Sequence, residues 1–145
     1  MSTSLTTAGL LRRFAAMFYD AFLIVAIWMI STMILVATVT DGSVAGGIGF
    51  QLFLYIEIAL FYIYFWRANG QTLGMQVWRI KLIDDDGNPP SLADCVLRFL
   101  CATLSVAAGG LGFAWVLINK ERLTWHDMAS NSKVVFIGKN ETDEP

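Results

Sequence analysis

Arg12-Arg13-Phe14-Ala15-Ala16-Met17-Phe18-Tyr19-Asp20, continuing into the uncharged run Ala21 to Thr40, is the stretch whose reading decides the fold. A helix needs about 20 predominantly apolar residues to cross a hydrocarbon core about 30 Å thick, and Ala21 to Thr40 supplies them. Gly42 to Trp66 is a second such stretch, interrupted only by Glu57, and Phe99 to Asn119 is a third with no charge. These runs sit in a 145-residue chain that is 56% hydrophobic and 15% charged, where soluble domains average roughly 25% charged. The chain therefore reads as an integral membrane protein. Its opening superficially fits the basic and hydrophobic regions of a secretory signal. The apolar part is too long for one and Asp20 stands near its start, so it reads as a retained first span.

Punctuation divides the rest. Helix one is expected from Leu11 to Val39, closed by the turn residues Thr40-Asp41-Gly42-Ser43, and helix two from Gly49 to Trp66, closed by Arg67-Ala68-Asn69-Gly70. Val77 to Ile83 then changes period: Trp78, Ile80 and Leu82 alternate with Arg79 and Lys81, the pattern of a strand. Asp84-Asp85-Asp86-Gly87-Asn88 is a turn, and Pro89-Pro90 delays helix formation until Ser91, which with Asp94 forms a capping pattern for a third helix. A second strand is expected at Lys133 to Ile137. The fold class is mainly α and membrane-embedded, with two full spans, a third hydrophobic segment and a small hairpin-like strand pair.

Basic residues set the topology. Two lie in the lead (Arg12, Arg13), four between the second and third apolar segments (Arg67, Arg79, Lys81, Arg98) and four in the tail (Lys120, Arg122, Lys133, Lys139), but none in the Thr40 to Gly49 loop. The positive-inside rule puts the lead and the middle connection in the cytoplasm, as expected for a multi-pass plasma-membrane protein. A single crossing by Phe99 to Asn119 would move the tail's four outside. A re-entrant hairpin broken at Ala107-Ala108-Gly109-Gly110 keeps all ten inside, and its arms, Leu92 to Val106 and Leu111 to Asn119, are each too short to span. The hairpin is the favoured reading.

Few residues carry chemistry. An ionised Asp20 inside a span costs about 2.5–3.5 kcal/mol on insertion scales and needs a partner or a proton. Arg13, seven residues earlier, projects from nearly the same face about 10 Å away along the axis. Either the two anchor the fold, with Arg13 reaching the headgroups, or they belong to a binding site. Glu57 lies at a similar depth on helix two, so it either meets Asp20 as a carboxylate pair, the raw material of an ion pathway, or is a protonated group bonded to a tyrosine or backbone. His126 precedes Asp127, and Thr124 with Asp127 is a capping pattern that marks a helix start.

Other sites are excluded. No nucleophile is paired with a base, and hydrolase, metalloprotease and P-loop signatures are missing, so no enzyme activity and no cofactor are expected. Asp84 to Gly87 is no calcium loop, because position 12 would fall on Cys95. Cys95 and Cys101 lie six apart, about 240° around a helix, and match no metal or redox spacing. A formal net charge of -2 gives no basic excess for nucleic acid. The sequon Asn140-Glu141-Thr142 would sit in a cytoplasmic tail, away from glycosylation.

Taken in order, Arg12-Arg13-Phe14-Ala15-Ala16 with Asp20, Gly70-Gln71-Thr72-Leu73-Gly74-Met75 after helix two, the strand with its Asp-Gly turn, Arg98 and Leu123 to Asp127 resemble the RDD family of small membrane proteins, named for one Arg and two Asp. Position by position, the resemblance implies that these are Arg13, Asp20 and Asp127. It extends over a membrane domain at residues 8–137, flanked by a loose lead at 1–7 and a polar tail at 138–145. Glu57 is not required by the family pattern. The implied activity is thin: transport of unidentified ligands, with cation/proton exchange in some members. If Arg13, Asp20 and Asp127 share one site, the tail must return to the side of the lead.

Two functions follow as expectations. One is a carrier of a small solute or a proton-coupled cation, oligomeric because two spans cannot enclose a pathway. Its polar cluster would comprise Arg13, Asp20, Asp127, Glu57, Arg98 and His126. The other is a non-transporting scaffold or accessory subunit docking a partner through its cytoplasmic face. Partners in either case are the lipid bilayer and further copies of the chain or another membrane subunit.

Overall fold

The computed structural model describes residues 5–40 and 46–138; the turn at Asp41 to Ser43, Lys139 and the sequon at Asn140 lie outside the described residues. Two long helices, α1 (Leu10–Thr38) and α2 (Gly47–Asn69), are each long and apolar enough to cross a membrane. At 1.5 Å per residue they run about 43 and 35 Å, more than the roughly 30 Å required. Phe18, Phe22, Met29 and Met33 lie 65–70% exposed along α1. On a helix this apolar, such a face is a lipid contact.

The chain between α2 and the third apolar segment does more than make a strand. Gly70 caps α2 with φ 68°, a left-handed conformation that suits glycine. A side chain there would also run into the Leu82 carbonyl. Residues Leu73–Val77 then form a short helix, α3, capped by Thr72, whose hydroxyl accepts from the Met75 N–H. The strand expected from Val77 begins only at Ile80: β1 is Ile80–Asp84. Trp78, expected to share a strand face with Ile80 and Leu82, lies before the strand and is 42% exposed, whereas those two are 1% and 0%.

The third apolar segment is broken, as expected. Ser91 caps α4 (Leu92–Ala107), and after Gly109 and Gly110, both at positive φ, α5 (Leu111–Ala114) and a 3-10 turn (Trp115–Leu117) leave at 103° to it. Then α6 (Trp125–Ala129) leads into β2 (Ser132–Phe136). The two strands pair antiparallel, with Leu82 opposite Val134, but they are not a hairpin, since α4 to α6 intervene between them.

This small sheet fixes the topology. Leu82 N–H donates to the Gly70 carbonyl at the end of α2, and Ala8 N–H donates to the Val134 carbonyl just before α1. Thr7 bridges Val135 in the same sense. The start of α1, the end of α2 and the tail strand therefore share one end of the molecule, and the α4–α5 segment dips in and returns. Ile80, Leu82 and Val134 from the sheet, Ala16 of α1, Trp66 of α2 and Cys95 and Phe99 of α4 form the core.

Gly74 is the tightest helix contact: a Cβ there would meet the Ala16 carbonyl oxygen and lie 2.9 Å from Asp20 Oδ1. Gly74→Ala should therefore lower stability by about 1–3 kcal/mol, the usual range for overpacking. Thermal unfolding of the detergent-purified protein measures this, and an unchanged melting temperature would show that α3 does not pack on α1 as described.

Candidate functional site

Arg13 and Asp127, 114 residues apart in the chain, meet. Arg13 Nη1 donates to Asp127 Oδ2 at 2.6 Å, and Arg98 Nη1 donates to Asp127 Oδ1 at 2.5 Å. Local structure prepares each side chain. Asp127 is the third residue of α6, where its Oδ2 also accepts from Thr124 N–H at 3.0 Å while its own N–H donates to Thr124 Oγ1, a reciprocal capping box. Arg13, in the first turn of α1, spreads its guanidinium over three acceptors: Ala8 O through Nε at 3.1 Å, Asp127, and Arg122 O at 3.5 Å. A lysine, with one point charge, could not do this. Arg98, in the second turn of α4, lies 5.3 Å from the Trp66 ring centroid.

The network runs on through hydroxyls. Arg98 Nη1 also donates to Ser132 Oγ at 3.2 Å, and Ser130 Oγ donates to the His126 carbonyl at 2.7 Å. Ser130's proton is thus committed, so Ser132 donates across the 2.6 Å contact to Ser130. The node joins α1, α4, α6 and the start of β2.

Burial and charge shift the two titratable groups outside the spans. For Asp127, burial by itself raises the pKa, but the Arg98 and Arg13 guanidiniums outweigh it and hold the carboxyl well below the usual range. For His126, burial and then the charge of Arg98 push the imidazole down to about 3. It is neutral at physiological pH and packs edge-on against Phe113 with ring centroids 4.7 Å apart.

Asp20 does not join this node. Its Oδ2 accepts from Thr72 Oγ1 at 2.5 Å and its Oδ1 from Gly74 N–H at 2.8 Å, so it clasps α3 to α1. The carboxylate pair of Asp20 with Glu57 is not formed either: Glu57 Oε2 accepts from Ser31 Oγ at 3.0 Å and ties α2 to α1. Arg13 is not at the headgroups but 5% exposed. The sequence reading missed Thr72, Gly74, Ser130 and Ser132. The Thr72-Leu73-Gly74-Met75 string carried the available signal, an N-cap residue followed by a glycine able to admit a helix.

Between these nodes lies a cavity of about 290 Å3. Its lining comes mainly from α1, α2 and α4, and Met75, Ile80, Phe113, His126 and Val134 from other elements complete it. Arg13, Asp20, Arg98 and His126 line it; Asp127 and Glu57 do not.

Two helices long and apolar enough to cross a membrane, a third hydrophobic segment broken at Gly109-Gly110 and a buried ion node joining Arg13 to Asp127 define a small membrane protein. The family model described as the RDD family matches residues 7–131, and the chain belongs to that family. Comparison with curated proteins and with solved structures returned no match.

The His126 shift sets an acid sensitivity. A folded pKa near 3 against about 6.5 unfolded means that the unfolded chain binds the proton first, so stability falls as pH drops from about 6.5 towards 3. Asp127, depressed below its unfolded value, keeps its full contribution until pH falls below about 4. Between pH 7 and 5 the wild type should lose about 2 kcal/mol through His126, and His126→Phe should flatten that slope. Melting temperatures across this range check it; parallel slopes for the two proteins would refute it.

Proposed function

We propose that this chain is a carrier for a small solute, working as an oligomer in the plasma membrane with its strand layer on the cytoplasmic side. The observation that supports it is the cavity of about 290 Å3, apolar over most of its wall but receiving Arg13, Asp20, Arg98 and His126. An apolar pocket with a few convergent polar groups is the usual form of a small-molecule site, and this one lies near the lower end of the roughly 300–1,000 Å3 range. Two full spans do not enclose a pathway, so the working unit contains further copies. The basic lead and middle connection favour the cytoplasm for the strand end.

The cargo class follows from which charges face the cavity. Proton-coupled cation exchange needs carboxylates free to change partners. Asp20 and Glu57 each accept bonds from an adjacent helix or turn, and Asp127 is held by two guanidiniums. A solute other than a metal cation is the better match.

Proteoliposomes given inward gradients of sodium, glycine or benzenesulfonate should show saturable uptake of glycine or benzenesulfonate above that of protein-free vesicles. Ala102 lines the cavity, so Ala102→Trp should abolish that uptake. Uptake equal to protein-free vesicles for all three solutes, or uptake of sodium alone, would contradict the proposal.

A further inference from the structure

The charge count at the ion node is uneven. Arg13 and Arg98 bring two positive charges to Asp127's single negative one, and both arginines line the cavity while Asp127 does not. His126 adds no charge, being neutral down to about pH 3. Asp20 also lines the cavity, but it lies seven residues along α1 from Arg13, roughly 10 Å up the axis, with both oxygens engaged by Thr72 and Gly74. The cavity is thus positive at the Arg98 end and negative at the Asp20 end.

Two buried polar atoms at the positive end lack a partner among the described residues: Arg98 Nε and His126 Nδ1. Arg98 is 4% exposed, and Nη1 already serves both Asp127 and Ser132. A guanidinium N–H can only donate, so what Nε lacks is an acceptor. A buried donor left without an acceptor is costly, the more so when it is charged. No cation can satisfy it. Most of the remaining wall is hydrocarbon and aromatic ring, including Ile58 and Tyr62 of α2, Phe99 and Val106 of α4, and Phe113 of α5, and the hydroxyls of Tyr55 and Thr103 there bond to each other.

We propose that the cavity binds a singly charged organic anion, a carboxylate or sulfonate on a short apolar body, with its oxyanion at Arg98 and His126 and its body between α2 and α4. A volume of about 290 Å3, near the lower end of small-molecule sites, suits a short organic molecule. One unbalanced positive charge matches one negative head, and Asp20 opposes a second negative group at the far end. The assignment deepens the carrier reading by naming its cargo, and it rests on that reading for the cavity's role.

The same head chemistry occurs on small soluble acids and on membrane fatty acids, and chain length separates them. The full chain is reconstituted into nanodiscs of phosphatidylcholine and titrated with carboxyl-13C-labelled octanoate, followed by the carbon resonance. Saturable binding is expected. Benzenesulfonate should displace octanoate and octyltrimethylammonium should not, while Ala102→Trp should weaken binding at least tenfold. Linear partitioning as in empty nanodiscs, equal displacement by the cation, or binding of labelled palmitate but not octanoate would overturn the assignment. The charge comparison uses the wild-type protein, so it stands even if Ala102→Trp fails to fold. Saturable octanoate binding without solute uptake in proteoliposomes would remove the carrier reading and keep this one. Uptake of glycine by a protein that ignores octanoate would do the reverse.

Discussion

Asp127, held between the guanidiniums of Arg13 and Arg98, is the interaction on which the rest of the structure depends. It closes contacts 114 and 29 residues long and brings the start of α1 and the start of α4 onto the same short helix. Desolvating three charges is expensive, and such clusters often add little net stability compared with apolar packing. Their effect is selective: removing one partner leaves an uncompensated charge at a cost of about 3–5 kcal/mol. An alternative topology in which the third segment crossed the membrane once would strand Arg13 and Arg98 without their carboxylate. The node therefore acts chiefly against that alternative.

A second clasp works at a different depth. Asp20 lies inside the first span, where an isolated carboxylate is costly, and a hydroxyl and a backbone N–H from α3 meet it. The approach requires Gly74 to have no side chain, because the α1 backbone occupies the space. Between the two clasps the helices cannot close completely, and the cavity is the space that remains. Its polar lining is inherited from the clasps, with Arg13 and Arg98 from one and Asp20 from the other.

Much of this was legible in the sequence because each signal was local. Uncharged runs marked the spans, Ser91 and Thr124 marked helix starts, and the glycines at 109 and 110 marked the break. The basic-residue count favoured return of the tail, which the pairing of Val134 with both Leu82 and Ala8 bears out. The α3 helix was not legible: five residues are too short to show a period, and its formation depends on packing against Ala16 and Asp20. Depth along two helices suggested that Asp20 and Glu57 meet, but depth fixes only one coordinate. Rotation about the helix axes sends Glu57 to Ser31 and Asp20 to Thr72. Resemblance to the family grouped Arg13, Asp20 and Asp127 as one candidate site; the structure joins Arg13 to Asp127 and holds Asp20 apart on Thr72 and Gly74.

The ion node and the cavity beside it both require the lead and the tail to meet at one end of the molecule, and one measurement tests this directly. Thr7 and Val135 are antiparallel bridge partners flanked by the bonds from Ala8 to Val134 and from Phe136 to Thr6. Such a non-hydrogen-bonded pair has Cα atoms about 4.5 Å apart, within the roughly 4.4–6.8 Å a disulfide spans. With Cys95 and Cys101 replaced by Ala, a Thr7→Cys, Val135→Cys variant oxidised in intact membranes should form an intramolecular disulfide, seen as a reducible mobility shift of the monomer. Failure to cross-link, with both thiols instead labelled from opposite sides of the membrane, would contradict the account.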